Sequence, residues 1–377
     1  MITEVAIDVS AITPHSGGAG TYVHELVAKL PGNGVAPVLV TRRSDRASWP
    51  NALRLVARAP QHRPLRLAWE QVALRRVLRR RAPEARLLHS PHYTMPLRAP
   101  LSRRVAVASV VTIHDLTFFT HPDEHDEAKR LVFRRAIRYA ARHADALVCV
   151  SDRTARELNE HVRVDVPVSV ISHGIDHRRF APPTADTQHN DTALLRSLAL
   201  ERPFVLFLGT ISPRKNVANL LRAYELLCRD GLRDIDLVLA GGAWPGQLDR
   251  LPAVSAGRVH QLGFVPHELV APLYRAAAVV AYPSLSEGFG LPVLEALACG
   301  APVVTTSGSV MEELAADAVI AVDPLRCDAI ATGLRRALDG VAPPVGVRLT
   351  TAARYSWEES ARCHADLYGS MLDGRGR

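Results

Sequence analysis

A chain of 377 residues exceeds what one ordinary hydrophobic core supports and fits two domains of roughly 150 to 200 residues each. Apolar residues make up 47% and charged residues 22%, and no apolar run approaches the roughly 20 residues of a membrane span, so a globular protein not integral to a membrane is expected. The formal charge of +8 accompanies five scattered cysteines with no CxxC or Cys/His cluster, which excludes a disulfide framework or a structural zinc site and leaves free thiols. The opening MITEVAIDVS has neither a basic n-region nor a long apolar h-region, so no secretory signal and a cytoplasmic location are expected.

VAIDVS reads as the first strand, and HSGGAGTYVHEL follows it, leading into a helix over about 21–30. Gly17, Gly18 and Gly20 let the backbone approach a ligand closely, with the positive end of the helix behind it. The spacing is not the GxGxxG of dinucleotide sites, and no acidic residue closes a second strand about 20 residues on, which argues against NAD. After a second strand at PVLVT, arginine recurs from Arg42 to Arg104 against only Asp45, Glu70 and Glu84. Within LRLAWEQVALRRVLRRR (65–81), read as one helix, Leu67, Val72, Leu74 and Leu78 are apolar and Arg75, Arg76, Arg79, Arg80 and Arg81 crowd towards the end. Such a run is a solvated helix face, or a surface for anionic lipid or an anionic acceptor. No aromatic-studded basic stripe accompanies it, so a nucleic-acid partner is not expected.

RLLHS and VAVASVVTIHD are the next strands, followed by a helix over 126–143 and a strand at DALVCVS. His114 and Asp115 end a buried strand, the position at which α/β proteins turn side chains towards a ligand. Neither a serine elbow nor a base partner accompanies His114, so hydrolase triads are not supported. APPTADTQHNDTA (181–193) reads as a linker region, with a domain boundary near 175–200. A second strand and helix series follows: FVLFLGT, a helix over 217–229, IDLVLAGG, RVHQLGF, AVVAYPS, a helix near Glu295, APVVTTS and VIAVD. Strands alternating with helices in both halves predict an α/β protein of two doubly wound parallel sheets. SWEESARCHADLYGSML closes the chain as a helix with no strand after it.

Three features of the second half carry chemistry. In GTISPRKN, Arg214, Lys215 and Asn216 stand at a helix start, where cations oppose the helix dipole and call for an anion such as a diphosphate. Asp234 and Asp236 match a metal-binding DxD pattern but stand at the start of a strand, away from the ligand end. In SEGFGLPVLEA, Glu287 precedes a helix opened by Gly288, Gly290 and Pro292, and Glu295 lies on its second turn. Two carboxylates so placed suit two ends of one ligand.

Taken together, GGAG, PRKN and EGFGLPVLEA resemble family 4 of the retaining glycosyltransferases over nearly the whole chain. The resemblance implies a GT-B fold, two Rossmann-like domains facing across a deep cleft. These would be residues 1–175, completed by the C-terminal helix 357–377, and 176–356. It implies that Glu287 binds hydroxyls of the donor hexose, helped by backbone around Gly288, Phe289, Gly290 and Leu291, and that Glu295 holds the ribose. Arg214 and Lys215 would bind the diphosphate and stabilise its departure, Gly17 and Gly18 would close over diphosphate or acceptor, and His114 would approach the sugar. Some family members carry an arginine directly after the glycine of the phosphate loop; Thr210 stands there instead. The reaction implied is same-face displacement without a metal or other cofactor, most like that of GDP-mannose-dependent mannosyltransferases. The acceptor would be a glycan, lipid-linked or small molecule, with the Arg-rich segment 65–104 able to meet an inner membrane face. A UDP-glucose, UDP-N-acetylglucosamine or deoxysugar donor, or a catalytically silent nucleotide-sugar-binding subunit, are the alternatives.

Overall fold

A computed structural model describes residues 3–12, 17–49, 54–97 and 107–373. His15 and Ser16 of the glycine-rich turn, and residues 98–104 of the basic segment, lie outside the described residues. The chain divides into two compact units, Met1–Gly174 with Trp357–Arg377, and Ile175–Ser356.

The first unit contains β1 (Thr3–Asp8), α1 (Gly17–Lys29), β2 (Val35–Arg42), β3 (Arg54–Ala59), α2 (Arg63–Val72), α3 (Leu74–Arg81), β4 (Leu87–Ser90), β5 (Ala108–Ile113), α4 (Thr117–Thr120), α5 (Glu127–His143), β6 (Ala146–Cys149), α6 (Asp152–His161) and β7 (Val168–Val170). Its seven strands are all parallel, in the order β3-β2-β1-β4-β5-β6-β7. β5 and β6 are buried along their whole length, as expected of parallel strands covered on both faces. The Asp126 carboxylate accepts from the Lys129 amide and starts α5, and Ser151 does the same for α6.

The second unit contains α7 (Ala185–Ser197), β8 (Phe204–Leu208), α8 (Val217–Arg229), β9 (Asp236–Ala240), β10 (Val259–Gly263), α9 (His267–Ala276), β11 (Val279–Tyr282), α10 (Leu291–Ala298), β12 (Val303–Thr306), α11 (Val310–Ala315), β13 (Ile320–Val322), α12 (Cys327–Leu338) and α13 (Val345–Ala352). Its parallel sheet runs β10-β9-β8-β11-β12-β13. Both sheets therefore reverse their winding beside their own first strand, between β1 and β4 and between β8 and β11, where doubly wound folds open a crevice for ligands.

The structure corrects three expectations. The helix over 65–81 is two helices, α2 and α3, broken at Ala73 (φ −112°): α3 turns Leu74 and Leu78 to the core, whereas α2 leaves Leu65 and Val72 exposed. α1 starts at Gly17 rather than near Thr21, with Gly17 at φ +57°, a conformation glycine adopts without strain. The polar stretch 181–193 is not a linker: the Thr184 hydroxyl and the Thr187 side chain form a reciprocal cap, and α7 follows. Asp191 of α7 accepts two hydrogen bonds, at 2.6 and 2.7 Å, from the Arg275 guanidinium of α9, which ties the stretch into the second unit. β3 and β7, the edge strands of the first sheet, were not anticipated from sequence.

The C-terminal helix (Trp357–Asp373) joins the first unit through a buried chain of polar groups. Tyr368 Oη lies 2.7 Å from His89 Nδ1, His89 Nε2 2.8 Å from Thr112 Oγ1, and Thr112 Oγ1 3.1 Å from Tyr22 Oη. Tyr22 Oη lies 2.9 Å from His364 Nε2, and His364 Nδ1 2.7 Å from the Ser360 carbonyl oxygen. Because His364 Nδ1 must donate to that carbonyl, its Nε2 accepts from Tyr22, and the same logic runs back through Thr112 and His89 to the Tyr368 hydroxyl. Every donor is used once, provided that both histidines are neutral. Burial holds the His364 imidazole down at about 4 and His89 well below its usual range, His89 also by the neighbouring His364 and His114. The unfolded chain therefore binds protons from about pH 6.5 downwards that the folded chain refuses, so this contribution is present above pH 6.5 and declines towards pH 4. The thermal midpoint should fall across that window, and less steeply in His364→Gln; parallel profiles for the two proteins would contradict the assignment.

Candidate functional site in the second unit

The loops that follow β8 and β11 flank the switch point of the second sheet. Just beyond the paired ends of β8 and β9 the two backbones approach closely: a Cβ on Gly241 (φ +131°) would lie 2.2 Å from the Gly209 carbonyl oxygen. Beyond Gly209 the chain makes a tight turn over Pro213–Lys215 and ends it on Asn216, at φ +58°. The Asn216 amide donates to the Pro283 carbonyl at 3.1 Å and the Pro324 carbonyl at 2.7 Å, so the turn is anchored to the loop after β11. The Leu285 amide donates back to the Arg214 carbonyl at 2.8 Å.

This anchoring brings Arg214, Lys215 and Glu287 together. Arg214 Nη1 lies 2.9 Å from Glu287 Oε2 and also donates to the Ser286 carbonyl. Lys215 Nζ donates to Glu287 Oε1 and to the Tyr282 hydroxyl. Ser284 Oγ donates to Oε1 at 2.6 Å, and Tyr282 Oη at 3.3 Å. Burial alone would raise the Glu287 carboxyl, but the charges of Lys215 and Arg214 and the bonds from Lys215 and Ser284 outweigh it and hold the group at about 2. The carboxylate is thus ionised and held between two cations at the mouth of the sheet.

Gly290 (φ +96°) turns the chain into α10, and a Cβ there would meet Met311 Cγ at 2.6 Å. Phe289 is buried edge-on against Tyr355, and Leu291 is the first, buried residue of the helix, so Gly288, Phe289, Gly290 and Leu291 present backbone amides at its N-terminus. Glu295 lies on the second turn and is bonded by Tyr274 Oη at 3.2 Å. Burial pushes its carboxyl up to about 7, against the pull of the Arg179 charge and the Tyr274 bond. The two glutamates thus have opposite environments: one already ionised and neutralised, the other short of hydrogen-bond donors. Asp236 of the DxD pattern is the buried first residue of β9, at the opposite end of the strands, paired with Arg202 at 3.1 Å and His260 at 2.8 Å.

In the first unit, Gly17 and Gly18 form the exposed N-terminus of α1. His114 follows β5, with Nε2 donating to the Pro91 carbonyl at 2.7 Å, and burial lowers its basicity so that it is neutral near pH 7. Asp8 and Glu70, from β1 and α2, are buried near the switch point of that sheet. Burial raises both carboxyls, and the Asp8 charge helps to push Glu70 up to about 8. Glu70 accepts from Thr94 Oγ1 at 2.9 Å, and Asp8 from the Ser10 amide at 3.0 Å.

Two family models match the chain: Glycosyltransferase Family 4 over residues 16–179 and Glycosyl transferases group 1 over residues 196–353. O-antigen chain mannosyltransferase B of Escherichia coli is 30% identical over 72% of this chain and 71% of its own length. The chain belongs to glycosyltransferase family 4. Its fold is GT-B: sucrose-phosphate synthase of Thermosynechococcus elongatus superposes with a TM-score of 0.76 at 22% identity, over 99% of this chain and 100% of that one. Anabaena HepE in complex with UDP-glucose superposes with a TM-score of 0.73 at 18% identity, over 97% and 99%.

This glycosyltransferase transfers a sugar from a nucleotide-sugar donor. Of Arg214, Lys215, Glu287 and Glu295, all singled out in the sequence, the structure brings the first three together, and it adds two tyrosines that the sequence did not single out, Tyr282 at Glu287 and Tyr274 at Glu295. Tyr282 ends β11, buried under Phe207, with its ring 4.8 Å from Lys215 Nζ and its hydroxyl within reach of both Lys215 and Glu287. It stands five residues before Glu287 in AYPSLSEGFG, where it reads as one more apolar strand residue. Tyr282→Phe keeps the ring and its stacking and removes only the hydroxyl, so it should cost about 1–3 kcal/mol in urea unfolding at pH 7. Unchanged stability would mean that the ion pair needs no support from Tyr282.

Proposed function

We propose that this glycosyltransferase is a retaining, metal-independent hexosyltransferase, and that it moves mannose from GDP-mannose to a hydroxyl of a glycan, lipid-linked or small-molecule acceptor. The observation that carries the reading is the cluster of Arg214, Lys215 and ionised Glu287 at the mouth of the second sheet. A guanidinium and an ammonium side by side at a helix start suit a diphosphate, which accepts charge-assisted hydrogen bonds from both. As the bond between the anomeric carbon and the phosphate oxygen breaks, these cations and the amides of residues 288–291 neutralise the charge that develops on the leaving group. The acceptor oxygen bonds the anomeric carbon on the same face, and its proton passes to the departing phosphate oxygen, so no separate protein base is required. Glu287, ionised, accepts hydrogen bonds from the hexose hydroxyls. The ribose diol supplies the donors that Glu295 lacks. Gly17 and Gly18 would close over the diphosphate or acceptor, and neutral His114 would meet the sugar. The curated mannosyltransferase relative supports the choice of donor.

A thermal-shift panel of GDP, UDP, dTDP and ADP with their sugar conjugates, at fixed low salt in EDTA, tests the donor first. Guanosine ligands should raise the midpoint, by about 2.7 kcal/mol of added stability at a hundred times Kd. A shift by uridine nucleotides alone would overturn the donor assignment, and no shift from any nucleotide would favour a silent subunit. With GDP-mannose and an acceptor, Glu287→Gln and Lys215→Ala should each lower kcat by roughly a hundredfold or more. Near-normal turnover in either would break the site assignment; a product of inverted anomeric configuration, or activity lost in EDTA, would break the mechanism.

A further inference from the structure

α2 carries Leu65, Ala68 and Val72 on one face, at helical spacing, and all three are exposed. Val72 is 84% exposed and Leu65 61%. A solvated helix has polar residues at such positions. The opposite side of α2 is turned inward, where Glu70 is buried, and Trp69, at the edge of the stripe, packs against the core. The loop after β4 is fastened to this helix: the Gln71 amide donates to the Met95 carbonyl at 3.2 Å and accepts from the Leu97 amide at 2.7 Å, which holds Leu97 outward, 53% exposed. On the other side the Arg63 guanidinium lies 5.1 Å from the Phe133 ring centroid, joining α2 to α5, whose Leu131 and Val132 are exposed as well. Five of the large apolar side chains exposed in the first unit therefore belong to three linked segments.

Charge surrounds this apolar ground. α2, α3 and α5 together carry thirteen lysines and arginines against two glutamates, Glu70 and Glu127, and Glu70 is buried. The chain as a whole has 46 basic against 38 acidic residues, so the imbalance is concentrated here. Exposed aliphatic residues inside a cationic rim match a lipid interface, where side chains enter the headgroup region and arginines meet anionic lipid. A single-stranded nucleic-acid groove would instead present aromatic faces for bases, and the exposed residues here are aliphatic.

We infer that α2, residues 94–97 after β4 and α5 form a docking face for an anionic phospholipid bilayer. The apolar stripe of α2 enters the interface, and the arginines of α3 and α5 select negatively charged headgroups. The face lies in the first unit, apart from the donor-binding residues of the second, so an acceptor presented at a lipid surface would be met by the unit that does not hold the nucleotide.

Flotation of the full chain with vesicles tests this without donor or acceptor, so its outcome does not depend on the transferase reading. The wild-type protein should float with phosphatidylcholine–phosphatidylglycerol vesicles and far less with phosphatidylcholine alone. The double variant Leu65→Asp/Val72→Asp should lose roughly tenfold or more of that partitioning while keeping its thermal midpoint. Arg76→Glu/Arg135→Glu should weaken binding to anionic vesicles and leave the weak binding to neutral ones unchanged. Absence of flotation with both vesicle types, or a Leu65→Asp/Val72→Asp variant that floats like the wild type, would overturn the inference. Release of the protein from vesicles by duplex DNA at equal phosphate would also overturn it, in favour of a nucleic-acid surface.

Discussion

Two adjacent cations at the mouth of a parallel sheet require an anion, and in this chain Glu287 supplies it. Arg214 and Lys215 stand on one loop and Glu287 on another, so the ion pair can form only if the strands that carry those loops are neighbours. The side-chain amide of Asn216 holds the first loop against the second, and the close approach of Gly209 and Gly241 packs the first loop against the end of β9. Tyr282 then fills the space below the pair, with its ring beneath the ammonium and its hydroxyl between the charges. Removing one partner of such a pair leaves a buried charge, which costs far more than the pair contributes net. The pair thereby fixes these side chains in their charged forms.

The first unit repeats the winding of the second and uses its polar groups differently. Its buried chain from Tyr368 to Ser360 is neutral throughout and fastens a helix that comes from the far end of the sequence. A neutral chain avoids the desolvation cost of buried ions, and its direction is specified because the Ser360 carbonyl can only accept and Thr112 and Tyr22 each donate once and accept once. At its switch point the unit buries Asp8 and Glu70 with raised carboxyls, in contrast to the depressed Glu287 of the second unit. One topology thus supports opposite electrostatics at equivalent crevices, because the side chains at the strand ends, rather than the sheet, set the local charge.

Much of the fold was legible as periodicity. The α8 span Val217–Arg229, the α5 region and most strands of both sheets follow from short β-branched runs alternating with helical patterns. The misses have a common cause. β3 and β7 are the edge strands of the first sheet, with arginines in β3 and only three residues in β7, and α7 is polar because it lies on the surface, held by Asp191 and a threonine cap. The break at Ala73 was hidden because the apolar residues of 65–81 suit one helix as well as two.

The residue types of PRKN and EGFGLPVLEA, and the glycines that let backbone turn and approach, were chemical statements written locally, since a cation at a helix start or a glycine before one has a meaning that holds wherever the segment lies. What the local sequence left undecided is which charges meet. Lys215 and Glu287 are 72 residues apart, His89 and Tyr368 are 279 apart, and Arg63 and Phe133 lie on different helices. Only the order of the strands brings these groups within reach, because pairing, burial and the resulting shift of a carboxyl to about 2 or about 7 depend on distance in space.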